Sequence, residues 1–313
     1  MTSESFIGSS TPAVAEHEWT RRAAAHRARV DDFTGPHGRR AGRGEAHPVW
    51  DFLFTYYSLR PRQLRVWHPG YGTALTGPAA AEYLDRAGYT ASAHGVTVGT
   101  EFLASRLPTV RFVADLLRAT EDRAPQFGCF GMHEWAMVYR TDAVRHGRVP
   151  LRLGAAGTDA VVESMPLRCT HFDAFRFFTE AAVPRNRGVP TRADQRHWEQ
   201  PGCLHANMDL YKWCYKLGPL VDSQLLVDCL ELAAHAREID MRASPYDLTH
   251  LGFEPITVEE PAGRAEYVRC QGVIAERAAP LRAALLTWCD RLLSSGVAYD
   301  TLSERALPAG KMN

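Results

Sequence analysis

Between Cys129 and Trp213 the sequence sets ionisable residues inside aromatic runs, and that is where chemistry is expected. In Leu204 to Leu217 (LHANMDLYKWCYKL), His205, Asp209, Lys212 and Lys216 recur at i, i+4, i+7 and i+11, so they share one face of a helix. A His and an Asp one turn apart can hold one metal ion. Imidazole with carboxylate suits iron, zinc or manganese, and a second His from elsewhere would complete a facial triad with open positions. The competing reading is a solvent-facing polar stripe with an Asp-to-Lys pair at i,i+3, and this segment alone weighs the two equally.

Two further segments tilt the balance. Phe127 to Arg140 (FGCFGMHEWAMVYR) carries His133 and Glu134, and Cys169 to Phe178 (CTHFDAFRFF) carries His171 and Asp173. Burying unpaired charge is costly, so acids and imidazoles within apolar runs must be paired, hydrogen bonded or metal bound. The expected metal ligands are therefore His133, His171, His205 and Asp209. Glu134 and Asp173 are the acid/base candidates, and Arg140, Arg168, Arg176 and Lys212 stand near enough to orient a carboxylate or phosphate. Each cluster also has a bland account: Thr170 with Asp173 is close to a capping box, and His133 could be a core histidine bonded to backbone. His47 and Asp51, with His68, could join the site, although helix capping explains the first two. Cys129, Cys169 and Cys203 lie near the histidines without a nucleophile signature and read as small core residues.

These residues imply a metal-dependent enzyme, a non-haem iron, Fe(II), oxidoreductase acting on a small polar metabolite. Zinc hydrolysis is the nearest variant, and a non-catalytic metal or small-molecule binder is the non-enzymatic alternative. Composition removes other classes. The chain has 36 basic and 36 acidic residues and a sequence pI near 7.2, which gives no global field for a polyanion. Seven arginines between Arg21 and Arg43 are the local exception, read as a solvated helix and loop. Seven cysteines without a CxxC pair indicate reduced thiols, no apolar run is long enough for a membrane helix, and no signal peptide is visible at the start. A cytoplasmic protein is expected, binding no membrane.

The elements that must position these residues are mostly helices. Trp19, Ala23, His26, Val30 and Phe33 form a stripe expected to end at Gly35-Pro36. Val49 to Ser58 reads as a buried helix, Leu107 to Arg123 as an amphipathic one, Leu204 to Leu217 as one stopped by Gly218-Pro219, and Asp222 to Ala243 as one with a capping Asp. A long C-terminal helix runs from Tyr267 to Leu292, with Pro280 expected to kink or split it. Only Gly95 to Glu101 and Pro255 to Glu259 give strand signals. The expected fold is mainly α, a helical bundle-like single domain with few short strands over residues 16–300. A disordered segment is expected at 1–15 and a tail at 301–313.

The segments HPVWDFLFTYYS from His47, RVWHPG around His68, QFGCFGMHEWAMVYR, THFDAFRFF, QPGCLHANMDLYKW and DMRASPYDL resemble a bacterial family often labelled 3-methyladenine DNA glycosylase, over roughly Trp19 to Leu285. The resemblance implies hydrolysis of an N-alkylated base from DNA. Glycosylases with a helix-hairpin-helix need a Gly-rich hairpin gripping DNA backbone and a catalytic Asp beyond the next helix. Pro69-Gly70-Tyr71-Gly72-Thr73-Ala74 is similar to such a hairpin, but Asp85 falls too early for that acid.

Overall fold

A computed structural model describes residues 12–142 and 149–306. It is mainly helical, with one small sheet. The chain opens with β1 (Ala13–Val14) and α1 (Glu16–Gly42), then the single turns α2 (Phe52–Thr55) and α3 (Pro61–Leu64). β2 (Ala74–Leu75), β3 (Tyr89–Ser92) and β4 (Gly95–Val98) follow. Beyond the sheet come α4 (Thr100–Glu121), α5 (Met132–Ala136), α6 (Gly154–Ser164), α7 (Phe172–Phe175) and α8 (Gln195–Trp198). The last three are α9 (Leu204–Leu217), α10 (Ser223–Arg242) and α11 (Pro261–Ala306).

The sheet has the order β1-β2-β4-β3, with β1 parallel to β2 and the other pairs antiparallel. Its first strand uses Ala13–Val14, at the end of the segment expected to be disordered, because their backbone finds partners in Ala74 and Leu75. The Gly95 strand forms as expected. The Pro255 strand does not: Ile256 and Val258 are buried, but Ile256 N–H donates to Arg242 C=O at 2.8 Å and the segment stays irregular. An apolar run is thus buried without joining a ladder.

The core is built on α9. It packs against α10 and α11, and α11 packs in turn on α4 and α10. Leu204, Met208, Leu210, Tyr211 and Leu217 are all buried, so the helix is surrounded rather than laid on a surface. α9 and α10 match their expected spans within a residue, with Asp222 Oδ1 accepting from Gln224 N–H at 2.6 Å as the cap.

The prolines behave differently from expectation. α1 continues past Gly35-Pro36 to Gly42, although an interior proline costs about 3 kcal/mol. Its last turns are anchored from outside: His37 and Arg40 both bind the Asp51 carboxylate, at 2.9 and 2.6 Å. α11 likewise runs unsplit through Pro280, its Ile274, Ala278, Leu285 and Leu292 all buried. Conversely, Val49 to Ser58 yields only the single turn α2. The Arg21 to Arg43 patch is largely paired, with Arg21 and Arg22 on Glu18, Arg29 on Asp228 and Glu231, Arg40 on Asp51, and Arg43 on Glu45. Pro69 to Ala74 leads from a loop into β2 and not into a second helix, and its Gly70 backbone packs against the Trp288 ring.

Candidate metal centre

The polar side chains of α9 are the origin of the site. His205, Asn207, Asp209 and Lys212 are buried, while Lys216, at the end of the expected stripe, is exposed. A helix cannot bury four such groups without partners from neighbouring elements. Asn207 is satisfied by Arg282 at 2.6 Å and by Pro201 C=O at 2.9 Å. The other three reach two separate acid–histidine sets.

The first set comprises His133, His205 and Asp240, all buried, with donor atoms close enough to share one metal ion. His133 arrives on α5, whose entry needs Gly131 in the left-handed region at φ 69°; a Cβ there would also lie 3.2 Å from that of Ala243. Asp240 comes from α10, one turn after Arg237. His133 Nε2 and Asp240 Oδ1 approach to 2.9 Å, yet they are not aligned as a hydrogen bond and neither atom has another partner among the described residues. His205 Nε2 lies 3.9 Å from Asp240 Oδ2, and the His133 and His205 rings are 4.4 Å apart, edge to face. Two ligands of one octahedral ion at about 2.1 Å bond length stand about 3 Å apart. His133 and Asp240 meet that spacing, and His205 at 3.9 Å lies farther out.

The charges of this set are unbalanced. Arg237 binds Glu134 at 2.7 Å and Asp240 at 3.0 Å and lies 4.1 Å over the Phe52 ring, so one guanidinium faces two carboxylates. The missing positive charge is either a proton or a metal ion. Burial alone would lower the His133 value, but Asp240 raises it well above the usual range. His205 is pushed well below its usual range by burial and by His133. Burial would raise Asp240, but His133, His205 and Arg237 hold it well below the carboxylate range.

The second set comprises His171, Glu199 and Asp209, also buried and close enough for one ion. Here the partners are complete. His171 is the N-cap of α7, and its Nδ1 accepts from Ala174 N–H at 3.2 Å. That role belongs to His171 and not to the expected Thr170. The ring proton must then sit on Nε2, which donates to Asp209 Oδ2 at 3.1 Å. A metal on Nε2 would force the proton onto Nδ1, against the amide N–H. Lys212 bridges Asp209 and Asp173, at 2.9 Å from the latter, and Tyr57 O–H donates to Asp209 Oδ1 at 3.3 Å. Burial opposes ionisation of Asp209, yet Lys212 and His171 hold its carboxyl far down. Lys212 is disfavoured as a cation by burial but raised above its usual range by Asp209 and Asp173. Glu199 is raised by burial and is donated to by Gln195.

A cavity of about 370 Å³ opens onto the first set. Glu134, His205, Arg237, Asp173 and Arg176 are its polar lining, and Phe52, Tyr56, Met137 and Phe177 its apolar lining. A void of about 10 Å³ lies between His133, His171 and His205, with Cys129, Cys169 and Cys203 beside it. Burial pushes the Cys169 and Cys203 thiols up, and among the described residues no thiol joins either donor set.

The four expected ligands are thus all buried in one region but divided: His133 and His205 belong to one set, His171 and Asp209 to the other. Glu134 and Asp173 both reach the cavity. Lys212 is committed to two carboxylates. Arg140 is exposed and pairs with Glu163 at 2.5 Å, and exposed Arg168 lies beside Gly128; neither lines the cavity. His68 bonds Tyr89 O–H at 2.9 Å away from the site, and the Asp51 carboxylate accepts the His47 N–H at 2.7 Å. Sequence reasoning missed Arg237, Asp240 and Glu199. A signal existed on α10, where Arg237 and Asp240 continue the apolar stripe of Leu226, Leu230 and Ala233.

The site and fold together define a mainly helical protein with buried His/carboxylate groups that could hold a metal ion. No protein-family model, curated protein or solved structure matches the chain.

Proposed function

We propose that the chain is a metal-dependent enzyme, a non-haem iron oxidoreductase acting on a small polar metabolite, with His133, His205 and Asp240 as the protein ligands. The observation that carries this reading is the 2.9 Å approach of His133 Nε2 to Asp240 Oδ1, two buried donor atoms with no other partner among the described residues. Two histidines and one carboxylate suit ferrous iron, which would supply redox chemistry at the positions the protein leaves open. Arg237 positions the set by holding Asp240 and Glu134 together. Glu134 presents a carboxylate to the cavity as the acid/base, and Asp173 presents a second one, fixed by Lys212.

Protein isolated without chelators should carry close to one iron per chain by elemental analysis, and His205→Ala should carry none. A chain that stays metal-free and cannot be reconstituted would refute the reading. Zinc at the same stoichiometry would replace redox chemistry by hydrolysis. Release of methylated base from alkylated DNA by the metal-free protein would install an N-glycosylase instead.

A further inference from the structure

We propose that the cavity takes a small carboxylic acid, its carboxylate held by Arg176 at the mouth and its apolar body lying along Tyr56 and Phe177 toward His205. This deepens the reading above and rests on it only for the reaction, not for the binding.

Four charged side chains line the cavity, and three are committed. Glu134 is taken by Arg237, Arg237 is shared with Asp240, and Asp173 is held by Lys212 at 2.9 Å. Arg176 differs: among the described residues its guanidinium makes no hydrogen bond. Its nearest acid atom is Asp173 Oδ1 at 3.4 Å, a contact between side chains 45% and 23% exposed, which water screens and a ligand can displace. The guanidinium also lies 4.0 Å over the Phe177 ring. Contact with the ring limits the freedom of the guanidinium while leaving its N–H donors unused by hydrogen bonds among the described residues.

The surroundings choose among anions. Asp173 and Asp209 already balance Lys212 and Arg176, so the mouth offers donors without excess positive charge. A planar, singly charged carboxylate matches such a fork; a doubly charged phosphate would face two carboxylates with nothing to offset it. Tyr56, stacked on Phe52 at 4.6 Å, adds a hydroxyl without a partner among the described residues, and burial keeps it protonated as a donor. The volume of about 370 Å³ lies in the range of small-molecule sites.

The test uses the full chain, both metal-free and iron-loaded, with phenylacetate and its uncharged counterpart phenylacetamide, followed by calorimetry and ligand-observed NMR. Phenylacetate should bind at least tenfold more tightly than the amide. Arg176→Gln should erase that preference, and Arg176→Lys should restore only part of it, since an ammonium lacks the fork. Metal content should be unchanged in both variants, because Arg176 is exposed and touches no ligand. Equal binding of acid and amide, no binding of phenylacetate, an unchanged preference in Arg176→Gln, or tighter binding of inorganic phosphate would each overturn the proposal. A preserved acid preference in a chain that never takes up metal would sink the iron reading and leave the carboxylate site standing.

Discussion

His133, His205 and Asp240 on one side, and His171, Glu199 and Asp209 on the other, are built from the same residue types and are equally buried. They differ in what surrounds them. The second set has its own cation in Lys212, its tautomer fixed by Ala174 N–H, and a carboxyl on Glu199 that burial raises above the usual range. The first has a pair of donor atoms, His133 Nε2 and Asp240 Oδ1, that approach without another partner among the described residues. Residue type and burial therefore do not separate a structural network from a metal centre; whether the donor atoms already have partners does.

The largest effect should come from unbalancing the closed set. Lys212→Met strands Asp209 and Asp173 without their shared cation, and breaking a buried ion pair in this way costs about 3–5 kcal/mol. Urea unfolding of metal-free protein should show that loss, while iron per folded chain stays at the wild-type value. If stability were unchanged, or if metal disappeared with the lysine, the two sets would not be separate.

Metal removal probes the open set from the other direction. With free metal at about a hundred times the dissociation constant, binding to the folded state alone adds about 2.7 kcal/mol. Chelation should remove that increment from the wild type. In His205→Ala there should be none to remove, whereas His171→Gln should retain it. Metal lost equally from both variants would point to a centre that spans the sets.

Acid should act on the closed set. The Asp209 value in the folded state lies below its unfolded value of about 3.9, so the unfolded chain binds the extra proton. The stabilisation is fully present above about pH 4 and is lost as pH falls through the folded value, by up to about 1.4 kcal/mol per pH unit. Asp209→Asn cannot titrate there. Unfolding measured from pH 6 to 2.5 should show the wild-type advantage over this variant shrinking in acid, and a constant difference would contradict the ion pair.

Much of the scaffold is legible in the sequence because α9 and α10 carry their own start and stop signals, Gly218-Pro219 after one and Asp222 before the other. Pro36 misleads because the partner that holds α1 beyond it, Asp51, is a tertiary contact that no local rule reports. The site follows the same division. His133, His171, His205 and Asp209 stand out as ionisable residues among aromatics, and all four are buried. Their allocation was not legible: Asp209 lies one turn from His205 on α9, yet it turns to His171, because Lys212 sits beside it and Asp240 is supplied from α10.

The smallest effect is the most discriminating. Glu199 Oε1 lies 3.6 Å from His171 Nε2 and accepts from the Gln195 amide, and burial raises its carboxyl above the usual range. A carboxyl and a carboxamide are close in shape, and each has an oxygen that can accept from the Gln195 amide. Glu199→Gln should therefore change stability by less than about 1 kcal/mol in urea, and should leave the metal content untouched. An ionised ligand behaves otherwise, since a carboxamide binds metal poorly and the substitution would strip an ion from the second set. A loss of bound metal in Glu199→Gln would thus turn the closed network into a second metal position, and the contrast between the two sets would fail.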